Sequence, residues 1–314
     1  MDALTRILSA ARVSGSLFSR AELQAPWGVH TLGSEAAIFH VVVAGEGWAA
    51  ADGEAPRRFR AGDLLVFPHG HPHTLRTTPD TPTRHIQKLE AMEGEDRLPC
   101  VLHRGIGSSG EGEGPRTSLL CGTFRLDPDA RDFLLPLLPP LLHVRHDSPT
   151  AAWLDSTMRL MADEVSAGRP GSEAVIARLA DILFIQALRA WSAEGAEGWL
   201  GALRDPKVSR AMAFMHEAPG DRWTAERLAR RVGMSRSAFY ARFTDQVGEP
   251  PSSYLTRWRM RVARGALRGG DDALIDVAEQ VGYGSEAAFC RAFKRHVGES
   301  PGAWRRQARA IAAK

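Results

Sequence analysis

The C-terminal third of the chain contains one sequence pattern twice, and this repeat limits the possible folds more than any other feature. Residues 228–251 (LARRVGMSRSAFYARFTDQVGEPP) match residues 277–301 (VAEQVGYGSEAAFCRAFKRHVGESP), with an offset that grows from 49 to 50 within the pattern. A repeat at this period indicates one structural unit used twice. The matched positions are Leu228, Ala229, Val232, Gly233, Phe239, Phe243, Gly248 and Pro251 in the first copy and Val277, Ala278, Val281, Gly282, Phe289, Phe293, Gly298 and Pro301 in the second.

Each copy predicts two helices joined by a glycine-containing turn. In the first copy Thr224 can cap one helix, Gly233 ends it, and Ser235 can cap the next. Helix, turn, helix is a DNA-binding pattern, and two matched copies are far more specific than one. The corresponding residues of the second copy are Asp271 or Asp272 for the first cap, Gly282 for the turn and Ser285 for the second cap.

Charge is distributed unevenly between the two parts of the chain. From residue 201 onward there are 21 Lys and Arg against 12 Asp and Glu, whereas the preceding part has 19 against 25. A basic region joined to an acidic one predicts that the basic region alone meets a polyanion. A basic surface that is merely solvated is the alternative interpretation.

Three stretches of the second copy carry a resemblance to a known family: 282–285 (GYGS), 288–294 (AFCRAFK) and 298–301 (GESP). The region from Arg204 to Arg305 resembles the C-terminal DNA-binding domain of the AraC/XylS family of bacterial transcription regulators. The resemblance implies two recognition helices in successive major grooves of double-stranded DNA, joined by a long central helix at 252–267. It also implies a cupin-type sensor domain upstream, which members of this family often carry.

Side chains that face outward near the start of each recognition helix are the candidates for base contacts. Arg236 and Arg291 can make bidentate contacts to guanine, and Glu286 can accept a hydrogen bond from cytosine. Contact with phosphates alone is the alternative for either arginine. Because the two outward faces differ, we expect an asymmetric operator half-site. The predicted base contacts are Arg236, Ser237, Tyr240, Ala241, Glu286, Ala287, Ala288 and Arg291.

The predicted central helix and the positions just after it are rich in arginine, with five between residues 257 and 268. At about 1.5 Å per residue the helix spans roughly 24 Å, which can help to place the two recognition helices near the ~34 Å separation of successive grooves. We expect its arginines to contact phosphates. The predicted DNA-binding set therefore includes Arg257 and Arg261, together with Lys294 of the second copy.

The first part of the chain predicts short strands with Gly and Pro between them, which is typical of a sandwich or barrel. The segment Gly62–His73 (GDLLVFPHGHPH) resembles the second motif of the cupin superfamily, in which the final histidine, here His73, is a metal ligand. The first cupin motif is incomplete. His40 stands on the matching strand, but Val42 occupies the position of the other histidine.

A different metal site is a second hypothesis for this domain. His40, His71, His73 and Cys121 are ligands of the type that zinc takes, for a structural or a sensed ion. The alternative is that the histidines line a polar turn and that Cys121 is a small buried hydrophobic residue. A further candidate pair is Cys100 with His103.

Two amphipathic helices are predicted at 151–165 and 172–191, before a linker at 192–201. Their apolar stripe suits either the core of the protein or the seam of a homodimer, and the sequence leaves both open. We therefore predict an α+β multidomain protein with a cupin-like β-barrel and helices at its N-terminus and an all-α double helix-turn-helix domain at its C-terminus. The predicted boundaries are 1–150 for the barrel, 151–200 for a helical linker and dimerisation region, and 201–314 for the DNA-binding domain.

The sequence lacks signs of export or membrane insertion. It has neither a secretory signal pattern nor a run of about 18 apolar residues. Its three cysteines are widely spaced, without a CxxC motif, as expected in a reducing cytoplasm.

The predicted function is sequence-specific DNA binding by a cytoplasmic transcription regulator that is not an enzyme and whose barrel senses a small molecule or a metal. The expected partners are double-stranded DNA, a small-molecule effector, RNA polymerase if the protein is an activator, and a second copy of the chain. The alternative is a cupin-type metal-dependent enzyme fused to a DNA-binding domain. A DNA-repair alkyltransferase would need several zinc-binding cysteines in the N-terminal domain, which holds only Cys100 and Cys121.

Overall fold

The computed structural model describes residues 4–5, 13–85, 100–102, 114–127, 131, 134–148, 152–193 and 201–312. The chain divides into two compact units. One consists of Arg12–Asp127 with Leu134–Glu194, and the other consists of Gly195–Lys314 with the segments 1–11 and 128–133. In the part of the chain that is described, no helix has the length and apolar character needed to cross a membrane.

The first unit contains two β-sheets. The six-stranded sheet has the order β11-β6-β3-β10-β1-β9 and the five-stranded sheet has the order β5-β4-β7-β2-β8. In the first sheet β10 pairs antiparallel with β1 on one side and with β3 on the other, and β3 pairs with β6, so β3 and β10 lie in the middle. The strands are β1 Val13–Gln24, β2 Gly28–Thr31, β3 Ala37–Ala44, β4 Glu46–Ala51, β5 Arg57–Arg60, β6 Leu64–Phe67, β7 His73–Arg76, β8 Arg84–His85, β9 Cys100–Leu102, β10 Arg116–Leu126 and β11 Leu142–Val144.

Apolar side chains from both sheets fill the space between them. Trp27, Phe59 and Phe67 are fully buried there, and Val42 belongs to the same cluster. The residue that breaks the first cupin motif is therefore part of the packed core. Burial of each such side chain contributes about 1.5–3 kcal/mol to the free energy of unfolding.

The outer face of the six-stranded sheet is covered by helix α2 (Ser172–Ala193), which packs on β1, β10 and β11, and helix α1 (Ala152–Ala167) packs against α2. The ring of Phe124 on β10 stacks on Phe39 and contacts Phe184 of α2. The backbone N–H of Gly15 donates to Asp181 Oδ1 at 2.7 Å, and a Cβ on Gly15 would lie 2.3 Å from the Cβ of Ala180.

These contacts correct the prediction of a separate helical region at 151–200. The two helices belong to the same compact unit as the sheets, because most of the apolar stripe on α2 is buried against the sheet. Val175 and Ile182 of that stripe remain 43% exposed each.

The second unit is helical. Its helices are α3 Pro206–Glu217, α4 Ala225–Arg231, α5 Arg236–Val247, α6 Pro251–Gly269, α7 Leu274–Gln280, α8 Glu286–Val297 and α9 Pro301–Ala312. Helices α4 and α5 form the first helix-turn-helix motif, and α7 and α8 form the second. Helix α6 is the predicted central helix, and its buried side chains pack into both halves of the unit.

The caps predicted from the sequence are present with one exception. Thr224 accepts a hydrogen bond from the backbone of Arg227, and Ser235 accepts one from Ala238. The prediction that Asp271 or Asp272 caps α7 is wrong. Ala273 holds that position without a side-chain cap, because Asp271 is ion-paired with Arg309 of α9 instead.

Candidate nucleic-acid interface

The two recognition helices, α5 and α8, are delimited by the same local chemistry. Ser235 and Ser285 cap their N-termini through the side-chain oxygen, and Gly248 and Gly298 follow their last turns with φ of 84° and 93°. Only glycine adopts this left-handed conformation without strain. The helices therefore begin and end at matched positions in the two copies.

One face of each recognition helix is buried and the opposite face is exposed. Phe239 and Phe243 of α5 and Phe289 and Phe293 of α8 are completely buried, so they are core residues. Seven of the eight predicted base contacts are exposed, and Ala288 is half-buried. Tyr240 is 46% exposed, so its ring is accessible on this face.

Three cations on this face have no partner among the residues that the structure describes. The side chains of Arg236, Arg291 and Lys294 are exposed, and the described part of the chain offers none of them an ion pair or a hydrogen bond. Other arginines of the domain are paired, as Arg230 is with Glu226. The positive charge of the recognition helices is thus free to meet an anion.

The arginines of the central helix are placed differently from the prediction. Arg261 is only 7% exposed, with its guanidinium carbon 4.9 Å from the centre of the Trp258 ring. Arg257 is half-buried and ion-paired with Glu249 at 2.6 Å. Arg261 is thus enclosed within the domain and Arg257 is held by Glu249, and their contact with phosphates stays a prediction.

A polar contact that the sequence analysis missed ties the first recognition helix to α3. Asp205 caps α3 by accepting from the backbone of Lys207 and Val208, and it also binds Arg242 and Gln246 of α5. Burial raises the pKa of Asp205, but these hydrogen bonds outweigh that effect and lower it. The Asp-Pro pair at 205–206 is a helix-start signal that could have indicated this residue.

In the first unit, three of the four predicted metal ligands contact one another between the two sheets. His40 Nε2 is 2.8 Å from His73 Nε2, and His40 Nδ1 is 3.0 Å from Cys121 Sγ. His73 Nδ1 lies 2.7 Å from Thr31 Oγ1. The four side chains form a buried chain of hydrogen bonds across strands β10, β3, β7 and β2.

Burial keeps this chain uncharged. It lowers the pKa of His40 well below the usual value, with a further lowering from nearby His73, and it lowers the pKa of His73 to about 4. Burial also raises the pKa of the Cys121 thiol to about 12. Neutral imidazoles each have one donor and one acceptor nitrogen, so a chain running from the Cys121 thiol through both histidines to Thr31 satisfies every group.

This arrangement does not fit the metal centre that the cupin resemblance implies. The two ring nitrogens of His40 face different partners, so one ion cannot take His73 and Cys121 together with a single His40 nitrogen. His71 is exposed and stacks on His69 outside the cluster. Among the described residues, no three His, Cys, Asp or Glu side chains converge to hold an ion. The candidate pair Cys100 and His103 lies outside the described side chains.

A second polar cluster surrounds Asp63, which is buried beside the end of β11. Its carboxylate accepts from His143 Nε2 at 2.8 Å and from the Nδ1 and backbone N–H of His146, both at 2.9 Å. Burial raises the pKa of Asp63, but the hydrogen bonds from His143, His146 and the backbone of Arg60 outweigh it, and the pKa falls to about 2. Asp63 therefore fixes the chain that leaves β11.

A cleft of about 470 Å³ opens next to this cluster, between the end of β3, the β5–β6 turn and α1. Most of its surface is apolar, with polar groups at the edge. A volume of this size lies within the ~300–1,000 Å³ typical of small-molecule sites. The lining residues are Val43, Ala61, Gly62, His146, Asp155, Met158, Arg159 and Ala162.

Comparison with known families matches both units. Residues 2–193 match the Cupin family, and residues 228–307 match a helix-turn-helix domain family. A putative AraC-like transcription regulator of Streptomyces lividans is 32% identical over 309 residues, covering 97% of both chains. The HTH-type transcriptional regulator AlkR of Acinetobacter baylyi is 30% identical over 313 residues, covering 98% of this chain and all of its own.

Two further similarities concern activation and DNA. The RCS-specific HTH-type transcriptional activator RclR of Escherichia coli is 29% identical, covering 99% of this chain and all of its own. The solved DNA-binding domain of AdpA, in complex with a target DNA, is 30% identical over 34% of this chain and 97% of that domain, with a TM-score of 0.33.

Proposed function

The chain belongs to the AraC-like transcription regulators and carries a cupin domain in its N-terminal part, and we propose that its two recognition helices bind unequal halves of an asymmetric DNA site. It is a DNA-binding regulator rather than an enzyme.

The observation that carries the proposal is a change of charge at matched positions. At the first position of the recognition helix Arg236 in α5 corresponds to Glu286 in α8, and one turn later Ala241 corresponds to Arg291. All four side chains are exposed. Arginine can donate hydrogen bonds to the acceptors of guanine, and a carboxylate can accept one from the amino group of cytosine. The two helices therefore present different hydrogen-bonding groups from the same scaffold.

Exposure and free charge together support contact with DNA at this face. Arg236, Arg291 and Lys294 carry positive charge there that no described residue neutralises. Tyr240 and Ala287 add apolar surface that can meet a thymine methyl. We assign Arg291 to a base and Lys294 to a phosphate, because Lys294 lies one turn further from the start of α8.

Selection from random DNA tests the proposal directly. We expect one enriched motif with two different sub-sites. Arg236→Ala should relax the preference at a position in one sub-site, and Glu286→Ala should relax a position in the other, each by about 1–3 kcal/mol. Ser209→Ala, on the half-buried side of α3, serves as the control. A palindromic motif, or no motif, would contradict the proposal.

We also propose that an effector binds the first unit in the cleft beside α1. The space between the sheets is filled by Trp27, Phe59 and Phe67, whereas the cleft is large enough for a small molecule. Native mass spectrometry of freshly purified protein should show an added mass that Ala162→Trp removes. Retention of that mass in the variant would place the effector elsewhere.

The exposed part of the stripe on α2 supports a homodimer. Val175 and Ile182 are seven residues apart and share one face of α2, and Leu160 of α1 is 55% exposed. Ile182→Glu should lower the mass measured by analytical ultracentrifugation if this face is the seam. Transcription with purified RNA polymerase, with and without the protein, decides between activation and repression.

A further inference from the structure

The two glycines that form the turns of the helix-turn-helix motifs differ in their surroundings. Gly233 and Gly282 both have positive φ, 67° and 81°. A Cβ on Gly233 would meet nothing within 4 Å. A Cβ on Gly282 would lie 2.6 Å from the backbone oxygen of Gly220 and 2.6 Å from Arg259 Nη2. Of the two turns, the second is therefore the one in which neighbouring atoms block the Cβ position of the glycine.

The surface that meets Gly282 belongs to the first half of the domain. Gly220 lies in the loop that joins α3 to α4, immediately before the first helix-turn-helix motif. A Cβ on Gly220 would lie 2.8 Å from the backbone oxygen of Gln280, the last residue of α7. The backbone around Gly220 therefore packs closely against the backbone around Gly282. This contact joins a loop of the first half to the turn of the second half.

Arg259 of the central helix stabilises this contact through hydrogen bonds. Its Nε donates to the carbonyl of Pro219 at 2.7 Å, and its Nη2 donates to the carbonyl of Asp221 at 2.9 Å. The guanidinium also lies 5.9 Å from the centre of the Tyr283 ring, directly after Gly282. A planar guanidinium can hold two carbonyls of one loop at once, which the single ammonium of lysine does less well.

We propose that Arg259, Gly220 and Gly282 form a clamp that fixes the second helix-turn-helix motif relative to the first and thereby sets the spacing between the two DNA sub-sites. Helix α6 is one connection between the two halves, and the clamp is a second, lateral one. Two connections restrain rotation of one half about α6, which a single helix does not. Arg259 is then a positioning residue, although it was expected to contact phosphate.

The clamp rests on the proposed binding to a two-part site, so the test uses the motif selected by the full chain. The affinity is measured for that motif and for versions with one base pair inserted or removed between the sub-sites. One base pair moves the second sub-site by about 3.4 Å and rotates it by roughly a tenth of a turn. We expect the natural protein to lose about tenfold or more in affinity on either change.

Clamp variants should tolerate the altered spacing. Arg259→Ala and Gly282→Ala should lose less than about threefold in affinity when one base pair is inserted or removed. The loss for Arg259→Lys should lie between theirs and that of the natural protein. Gly233→Ala is the matched control. It introduces the same side chain at the same kind of positive φ, so it carries similar backbone strain but meets no neighbour, and it should keep the natural spacing preference.

The outcomes separate the clamp from the proposed function. If the natural protein selects a two-part motif and both clamp variants keep its spacing preference, the clamp is wrong while the proposed function stands. An equal loss of spacing preference in Gly233→Ala would also overturn the clamp, because a loss of protein stability alone would then explain the effect. If Gly282→Ala does not fold, Arg259→Ala alone decides. If the natural protein selects no motif, both proposals fail.

Discussion

Tyr254 lies edge-on against Phe243, with 5.7 Å between the ring centres. Fifty positions later Trp304 lies edge-on against Phe293 at 6.4 Å. The repeat therefore extends beyond the helix-turn-helix motif to a third helix, which in both copies begins at a proline three residues after the left-handed glycine. In each copy this third helix closes the core with an aromatic ring.

The ring of Trp304 should be essential for the second half of the domain. Trp304→Ala removes a side chain that is 7% exposed, and we expect the free energy of unfolding to fall by about 3–5 kcal/mol. Urea unfolding followed by circular dichroism measures this change. Gln307→Ala, on the exposed side of α9, should change it by less than about 0.5 kcal/mol. A similar effect of both variants would contradict the core role of the ring.

Arg291 and Lys294 should differ in what they contribute to DNA binding. Arg291→Ala should relax the preference at one base pair, at a cost of about 1–3 kcal/mol, whereas Lys294→Ala should weaken binding to all sequences and reduce the salt slope by about one. Titrations at several salt concentrations, with the selected motif and with single-base variants, distinguish the two. A uniform loss in Arg291→Ala would indicate that it contacts phosphate alone.

Local chemistry made much of the second unit predictable from the sequence. Serine caps at 235 and 285 and left-handed glycines act within a few residues, so the bounds of the recognition helices follow from nearby positions. The spacing of Phe289 and Phe293 likewise indicates the buried face of α8. The family resemblance supplied the arrangement of the two motifs, and the comparisons confirm the family and the fold class.

Contacts between residues that are distant in sequence are not visible in a local pattern. Arg261 packs on Trp258 because both halves of the domain enclose α6, which the pattern of one helix does not reveal. Asp271 pairs with Arg309, 38 residues away, instead of capping the nearby helix. His71 lies just before β7 begins at His73, so the two histidines, although close in sequence, do not share an environment.

Metal content tests the buried histidine chain. Because His40 directs its two nitrogens to different partners, we expect protein purified without a histidine tag to hold well below one equivalent of zinc. Added zinc should leave the midpoint of thermal unfolding unchanged. One equivalent of metal in the natural protein that is lost in His73→Ala and kept in His71→Ala would show that the cluster rearranges around an ion.

The carboxylate of Asp63 should make the first unit sensitive to acid. Its pKa in the folded protein is about 2, below its usual value of 3.8, so the folded state favours the charged form. The stabilisation is complete above pH ~4 and is lost as the pH falls from there towards 2. A shift of this size corresponds to about 2 kcal/mol of stability.

The variant Asp63→Asn should be less stable than the natural protein by this amount at pH 6. Between pH 4 and pH 2 it should lose less further stability than the natural protein does. Asp147→Asn, which removes an exposed carboxylate one residue after His146, is the control and should follow the natural protein. Urea unfolding across this pH range measures the difference, and parallel curves for the natural protein and Asp63→Asn would show that the hydrogen bonds from His143 and His146 do not stabilise the charged carboxylate.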